Sequence, residues 1–223
     1  MTLPSADPRE NMLKSQILPG HVLAPAILAA LGAAPREAFV PDAYRAAAYL
    51  DEEIPLAAGR MLMNPLTFAR MLTHAALAAD ETVLDVGCAT GYSSAVLSKL
   101  VRKVVALEED KAMAAKAKSL LAALPNVECA EGALISGKSD RAPYDAILIE
   151  GAIEVLPQAF CDQLAEGGRL LAIEHNAPWQ VGAAGLGRLV EYRKLRGNLY
   201  KTTLEDANVA LLSAFGKPAR FSL

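Results

Sequence analysis

Little in this sequence is aromatic: Phe, Trp and Tyr make up 5% of its 223 residues, with a single tryptophan. Aliphatic side chains must therefore fill any core, and a hydrophobic content of 53% supplies them, which argues against disorder. Cysteine is scarce as well. Cys88, Cys129 and Cys161 are odd in number, widely separated and never in a CxxC pair, so a disulfide framework and a thiolate zinc site have no support, and buried free thiols are expected. Neither sign of charge is in excess: 22 Lys and Arg against 25 Asp and Glu give −3, which offers no broad basic field to a nucleic-acid backbone. His21, His74 and His175 are isolated, without the spacing of metal ligands. No long window is apolar and free of charge, which excludes a membrane-spanning helix, and the residues from Met1 to Asn11 lack the apolar core of a secretory signal. These absences lead to the expectation of a cytoplasmic enzyme of small-molecule type, without a metal and with neither nucleic acid nor membrane as partner.

What is present falls into two parts. Up to about residue 80 the pattern is helix and loop. It predicts helices over 9–18, stopped by Pro19-Gly20, over 21–31, and over 65–78, where Pro65 stands in the first turn and its missing N–H costs little. From Thr82 short apolar runs alternate with helical stretches. Strands are expected at 82–86, 103–108, 127–130, 144–149 and 170–173, and helices at 92–100, 111–123 and 157–164. Such alternation builds βαβ units and a parallel sheet with helices on both faces. Two further strands, 189–195 and 209–215, have no helix between them and would close the sheet with an antiparallel element. The expected fold is thus α/β, a doubly wound, Rossmann-like, mostly parallel seven-stranded sheet. Residues 1–80 form a helical N-terminal cover within the same domain, and 81–223 form the cofactor-binding core. Periodicity orders neither the last two strands nor the oligomeric state.

The stretch from Val83 to Tyr92 reads as strand, tight turn and helix start, with Asp85, Gly87, Ala89 and Gly91 at alternate positions. Glycines there allow a ligand to approach the backbone, and the helix start presents free N–H groups. A dinucleotide fingerprint would read GxGxxG. Here a carboxylate enters the turn and would repel a phosphate, so a cationic, phosphate-free nucleoside, S-adenosylmethionine, fits better. Glu108 ends the next strand, where a carboxylate can accept both ribose hydroxyls; capping the following helix is the other reading. Glu131-Gly132 follows the third strand, placed either to accept the adenine amino group or simply to form a turn. Glu150, at the carboxyl end of the fourth strand, lies where ligands of open α/β sheets bind; a helix-capping or loop charge is the other reading.

Together these residues resemble a class I S-adenosylmethionine-dependent methyltransferase, and beyond that the protein-L-isoaspartate O-methyltransferase family. The resemblance is carried by Pro35-Arg-Glu-Ala-Phe-Val-Pro41, Asp51 to Pro55, Gly59 to Pro65, Val83 to Tyr92, Ala142 to Ile147 and Gln163 to Leu170. The first of these is the specific part, since general methyltransferases lack it. The resemblance implies S-adenosylmethionine as cofactor, S-adenosylhomocysteine as product, and methyl transfer to an isoaspartyl carboxylate of a damaged protein or peptide. A carboxylate is already ionised near neutrality, so no Ser-His-Asp or Cys-His constellation is required. The family usually carries Gly-Gln-Thr-Ile-Ser-x-Pro, its serine contacting the substrate carboxylate; here the segment reads Gly59-Arg60-Met61-Leu62-Met63-Asn64-Pro65. Met63 takes the serine position, and a thioether donates no hydrogen bond. Arg60 or Asn64 is the alternative donor to the substrate, an exposed loop cation being the other reading of Arg60. Ala89 stands where the family favours glycine, and Glu131 where it usually has aspartate. Three readings stay open: the family reaction with a different donor, a methyltransferase redirected to another acceptor, and a non-catalytic cofactor-binding module. Methylation of adenine amines is disfavoured, because Ile149-Glu150-Gly151-Ala152 lacks the (Asn/Asp)-Pro-Pro-(Tyr/Phe) signature at that place.

Overall fold

A computed structural model describes residues 7–57, 59–175 and 187–217. Its centre is a seven-stranded sheet made of β3 (Thr82–Val86), β4 (Lys103–Glu108), β5 (Val127–Glu131), β6 (Tyr144–Ile153), β7 (Leu164–His175), β8 (Gly187–Leu195) and β9 (Asn198–Asp206). The spatial order is β5-β4-β3-β6-β7-β8-β9. β3 pairs in parallel with both β4 and β6, β4 with β5, and β6 with β7. β8 and β9 run antiparallel at the edge. The sheet is therefore mostly parallel, as its helix-separated strands require.

Side chains of the central strands alternate between two cores. Val83, Val104, Ala106, Leu148 and Leu171 face one of them. On that face lie α1 (Pro8–Met12), α2 (Pro25–Ala33), α3 (Pro65–Ala75), α4 (Tyr92–Leu97) and α5 (Lys111–Leu120), which contribute Met12, Leu31, Phe68, Val96 and Ala117. Leu84, Val105, Ile147 and Leu170 face the other core, where α6 (Gln158–Gln163) adds Phe160 and the segment near the C-terminus adds Phe215. A short antiparallel pair, β1 (Ile54–Pro55) and β2 (Met61–Leu62), projects from the N-terminal cover. None of the described helices is long and apolar enough to cross a membrane.

Several expectations need correction. The helix expected over 9–18 is α1 followed by a wider π-type turn, Leu13–Ile17. The next begins at Pro25, because His21 is left-handed with φ 64°, a conformation that interrupts a helix. Residues 209–215 are not a strand. They form an extended stretch and a 3₁₀ turn (Ser213–Phe215), bridged to the sheet only at Ala152 and Leu211. The seventh strand is instead β9, joined to β8 through Arg196 and Gly197, both with positive φ (52° and 75°). That two-residue turn matches the twist of a hairpin.

One buried side chain ties the cover to the sheet. Arg169 of β7 is 6% exposed. Its guanidinium donates to Glu81 at 2.7 and 2.8 Å, to the Ala76 carbonyl at 3.1 Å, to the Asp145 carbonyl at 3.3 Å, and to the Ala75 carbonyl. Ala75 and Ala76 end α3, so this arginine satisfies carbonyls the helix leaves unpaired. Arg169→Met keeps the bulk but strands Glu81 and those carbonyls. Urea denaturation is expected to show a loss of about 3 kcal/mol or more; a loss below about 1 kcal/mol would mean that the arginine does not anchor the cover.

Candidate functional site

β3 lies between β4 and β6, so the strand order reverses there and the carboxyl ends of these strands open the crevice in which such sheets bind ligands. Asp85, Glu108 and Glu150 are carried to that edge by β3, β4 and β6. After β3 the chain turns through Gly87, Ala89 and Gly91, with φ of 79°, 51° and 100°. A left-handed residue with a Cβ is disfavoured by roughly 1–2 kcal/mol, so Ala89 holds strain that a glycine would not. The turn is tied to β4. Gly87 N and Cys88 N both donate to the Leu107 carbonyl (2.9 and 3.2 Å) and Ala89 N donates to Glu108 Oε2 (2.7 Å). Three amides that could cradle a phosphate are committed within the chain.

Glu108 is 1% exposed. Its Oε1 accepts from Glu109 N and Asp110 N (both 3.0 Å) and from Arg60 Nη1 (2.8 Å). Arg60 Nη2 also donates to the Gly87 carbonyl at 2.8 Å. The arginine comes from the β1–β2 hairpin, whose loop closes through Leu56 N to Arg60 O (2.9 Å) and Arg60 N to Ala57 O (2.8 Å). This ion pair escaped sequence reasoning, because nothing in the spacing links positions 60 and 108.

Asp85 and Glu150 lie on paired strands, Val86 standing opposite Ile149. Asp85 Oδ2 accepts the hydroxyls of Ser93 and Ser94, the first at 2.7 Å, while Oδ1 has no partner. Burial drives the Asp85 carboxyl up to about 6; the two serine hydroxyls oppose the shift and the charge of Glu108 adds to it. Burial, reinforced by Asp85, also raises the Glu150 carboxyl well above its ordinary range, and Glu150 Oε1 has no partner either. A buried carboxylate oxygen without a hydrogen bond is costly, and a cation between these strands would relieve both.

The remaining expected residues are more dispersed. Tyr92 is packed rather than open: its ring meets Phe39 at 5.8 Å and Phe68 at 6.0 Å, with the Arg36 guanidinium 4.7 Å above it. Glu131 is exposed and stands beside Glu108 in the β4–β5 register. Gly132 N donates to the Glu108 carbonyl at 3.0 Å, and a Cβ at Gly132 would make only ordinary contact, 3.6 Å from Leu107. Met63 is 4% exposed, its side chain in the core, and its carbonyl accepts from Arg36 Nη2 at 2.7 Å. Arg36, fully buried, also donates to the Ala48 carbonyl at 2.7 Å. The arginine of the Pro-Arg-Glu segment is therefore a strut fixing the loop that carries Met63, a role the sequence did not announce. Asn64 caps α3, its Oδ1 accepting from Thr67 N at 3.2 Å. Finally, the segment around Leu212 runs along β6. Ala152 N donates to Ala210 O and Leu212 N to Ala152 O, both at 2.9 Å. Glu53, next to β1, accepts from Ala210 N at 2.9 Å. Gly151, with φ 157°, is needed there, since a Cβ would come 2.7 Å from Leu212 Cγ.

Over residues 7–195 the chain matches the family described as protein-L-isoaspartate(D-aspartate) O-methyltransferase (PCMT). It is 39% identical over 184 residues to the protein-L-isoaspartate O-methyltransferase of Synechococcus sp. (strain JA-2-3B'a(2-13)), covering 82% of this chain and 75% of that relative. With the protein of the same name from Koribacter versatilis it shares 35% over 216 residues, 95% of this chain and 94% of the other. Among solved structures, a protein-L-isoaspartate O-methyltransferase superposes with a TM-score of 0.78 at 22% identity, over 93% of this chain and 67% of that one. A Plasmodium falciparum beta-aspartate methyltransferase in complex with S-adenosyl-L-homocysteine gives 0.77 at 17% identity, over 92% and 98%. At these identities the structural likeness establishes the fold.

The raised Asp85 carboxyl sets a pH dependence. A folded-state value moved up from 3.8 to about 6 gives stability that is complete below the unfolded value and lost as pH rises through the folded one. Asp85→Asn has no such loss. The melting temperature of the native protein, free of ligand, is therefore expected to fall relative to Asp85→Asn between about pH 4 and pH 6 and to run parallel above that. A gap unchanged across this range would show that Asp85 is not perturbed.

Proposed function

Because the chain belongs to the protein-L-isoaspartate(D-aspartate) O-methyltransferase family, we propose that it transfers the methyl group of S-adenosylmethionine to the carboxylate of an isoaspartyl residue in a protein or peptide, releasing S-adenosylhomocysteine. The observation that carries this reading is the set of three buried carboxylates, Asp85, Glu108 and Glu150, at the carboxyl ends of β3, β4 and β6. Two of them keep an oxygen without a partner. The arrangement fits a cationic ligand and repels a phosphate. In this reading Glu108 takes the ribose hydroxyls, Glu131 beside it the adenine amino group, and Asp85 and Glu150 the positively charged end. The Gly87–Gly91 turn with Ala89 forms the floor, Gly132 holds the strand end to Glu108, and Tyr92 anchors the turn to the cover.

When bound, the cofactor supplies an electrophilic methyl group on a sulfonium. The chain contributes position and dryness. The acceptor carboxylate is ionised at neutral pH, so no side chain needs to remove a proton, and catalysis consists of holding the reactants in line about 3 Å apart with water excluded. The Leu212 segment, laid across Gly151, is placed to exclude that water. On the acceptor side Met63 offers no donor. Asn64 keeps its amide NH2 while its oxygen caps α3, and Arg60 is the nearby cation able to grip a carboxylate with two N–H groups. The partner in this reading is a protein or peptide in the cytoplasm, not a nucleic acid or a membrane; the three cysteines of the chain, free in the structure, agree with a reducing compartment.

The test is transfer of labelled methyl from S-adenosylmethionine to an isoaspartyl peptide beside its normal aspartyl twin. Label is expected on the first only; no label on it, with S-adenosylhomocysteine shown to bind, overturns the acceptor assignment. Met63→Ser separates two effects. Because the Met63 side chain lies in the core, the new hydroxyl is expected to leave kcat/KM for the peptide within about twofold, and a gain of about tenfold, the worth of one hydrogen bond of about 1.4 kcal/mol, would place this position against the acceptor. Emptying a buried site is expected to lower stability by about 2–4 kcal/mol, so the assay belongs well below the melting temperature.

A further inference from the structure

The carboxylate expected to hold ribose is already heavily occupied, Oε1 accepting three bonds and Oε2 one. A carboxylate offers about four lone-pair sites, and Glu108 accepts from four donors: the backbone N–H groups of Ala89, Glu109 and Asp110, and Nη1 of Arg60. Three of these belong to the turn and to the start of α5 and are fixed by the fold. Arg60 is the one that a side-chain rotation can remove. Its second nitrogen fills the floor of the same turn, bonding the Gly87 carbonyl at 2.8 Å and lying 3.0 Å from where a Cβ at Gly87 would stand. Gly87 therefore makes room for a guanidinium as much as for a ligand.

We propose that Arg60 is a resident competitor for the nucleoside: its guanidinium occupies the ribose subsite at Glu108 and the turn at Gly87, and the cofactor binds only when Arg60 leaves. The inference rests on the S-adenosylmethionine reading above and adds the residue that sets its affinity. Two features fit a displaceable occupant better than a permanent strut. Arg60 Nε is buried without a partner, and although Arg36 Nη1 is likewise unpartnered, Arg36 rests on two backbone carbonyls, whereas Arg60 is paired with the carboxylate that a ligand would need. Arg60 also lies in the β1–β2 hairpin next to Gly59, which has φ 75° and where a Cβ would meet nothing within 4 Å; its own N–H and carbonyl are bonded to Ala57 and Leu56, so the movement required is of the side chain alone. Once off Glu108, its guanidinium is free to meet an anionic acceptor.

A site open only a fraction of the time weakens apparent affinity by that fraction. Calorimetric titration with S-adenosylhomocysteine is the test, on the native protein, Arg60→Gln and Arg60→Lys. Gln cannot hold the ion pair, and Lys keeps the charge without the two-pronged grip. Arg60→Gln is expected to bind at least about tenfold more tightly than the native protein, with Arg60→Lys between them. Melting temperatures give a second readout: Arg60→Gln should melt lower without ligand yet gain more on saturation, whereas a merely structural arginine would lower the temperature without tightening binding. Equal or weaker binding by Arg60→Gln overturns the proposal and leaves the cofactor reading standing. No binding by any of the three overturns both. Should Arg60→Gln fail to fold, the direction of the Arg60→Lys shift decides.

Discussion

Placing a carboxylate where water does not reach is unfavourable unless hydrogen bonds and charge replace the water, and Glu108 meets that condition with contacts from three parts of the chain. The end of β4 supplies the residue and two of its backbone donors, the β3 turn supplies Ala89 N, and the β1–β2 hairpin supplies Arg60. One side chain thereby fixes the turn against the sheet and the hairpin against the turn. Without it the Gly87–Gly91 loop would keep only its two bonds to the Leu107 carbonyl, and the N-terminal cover would lose its only described ionic contact with the end of β4.

Other buried charged groups that touch the cover work in the same way. Arg36 holds Ala48 and Met63, and Arg169 reaches from β7 to the last carbonyls of α3 and to Glu81. Between these two anchors lies the segment that bears Arg60, Met63 and Asn64. It is held by hydrogen bonds at Met63 and at the α3 cap, whereas a Cβ at Gly59 would meet nothing within 4 Å. A backbone held at these points, Arg60's own N–H and carbonyl included, suits a site in which one side chain moves while the rest stays in place. Asp85 and Glu150 are the complementary element: burial makes their negative charge unfavourable, and a cationic ligand would remove the penalty. A fold that keeps such groups gives up stability for binding.

The central strands were legible because they are buried on both faces, so Val83, Leu84, Val104, Val105, Ile147 and Leu148 read as continuous apolar runs. The same rule hid β9. It is an edge strand with mostly exposed residues, and its sequence, Asn198 to Asp206, shows no apolar alternation. The apolar residues Val209, Leu212 and Phe215 are buried but pack as a loop across the strand ends, which a strand-like pattern mimics. His21 interrupts a helix through a backbone angle that composition does not reveal. That Asp85, Glu108 and Glu150 come to one edge of the sheet could be read from their places at strand ends. That Met63 points into the core and that Arg60 pairs with Glu108 depend on tertiary packing alone.

The central claim is that Glu108 is the ribose acceptor and that Arg60 holds its place until the cofactor arrives. A crystal structure of the protein with S-adenosylhomocysteine addresses it most directly. The account predicts both ribose hydroxyls within about 3 Å of the Glu108 carboxylate oxygens, with the Arg60 guanidinium withdrawn from Glu108 and from the Gly87 carbonyl. A complex in which Arg60 still bonds Glu108 while the nucleoside lies elsewhere would contradict it.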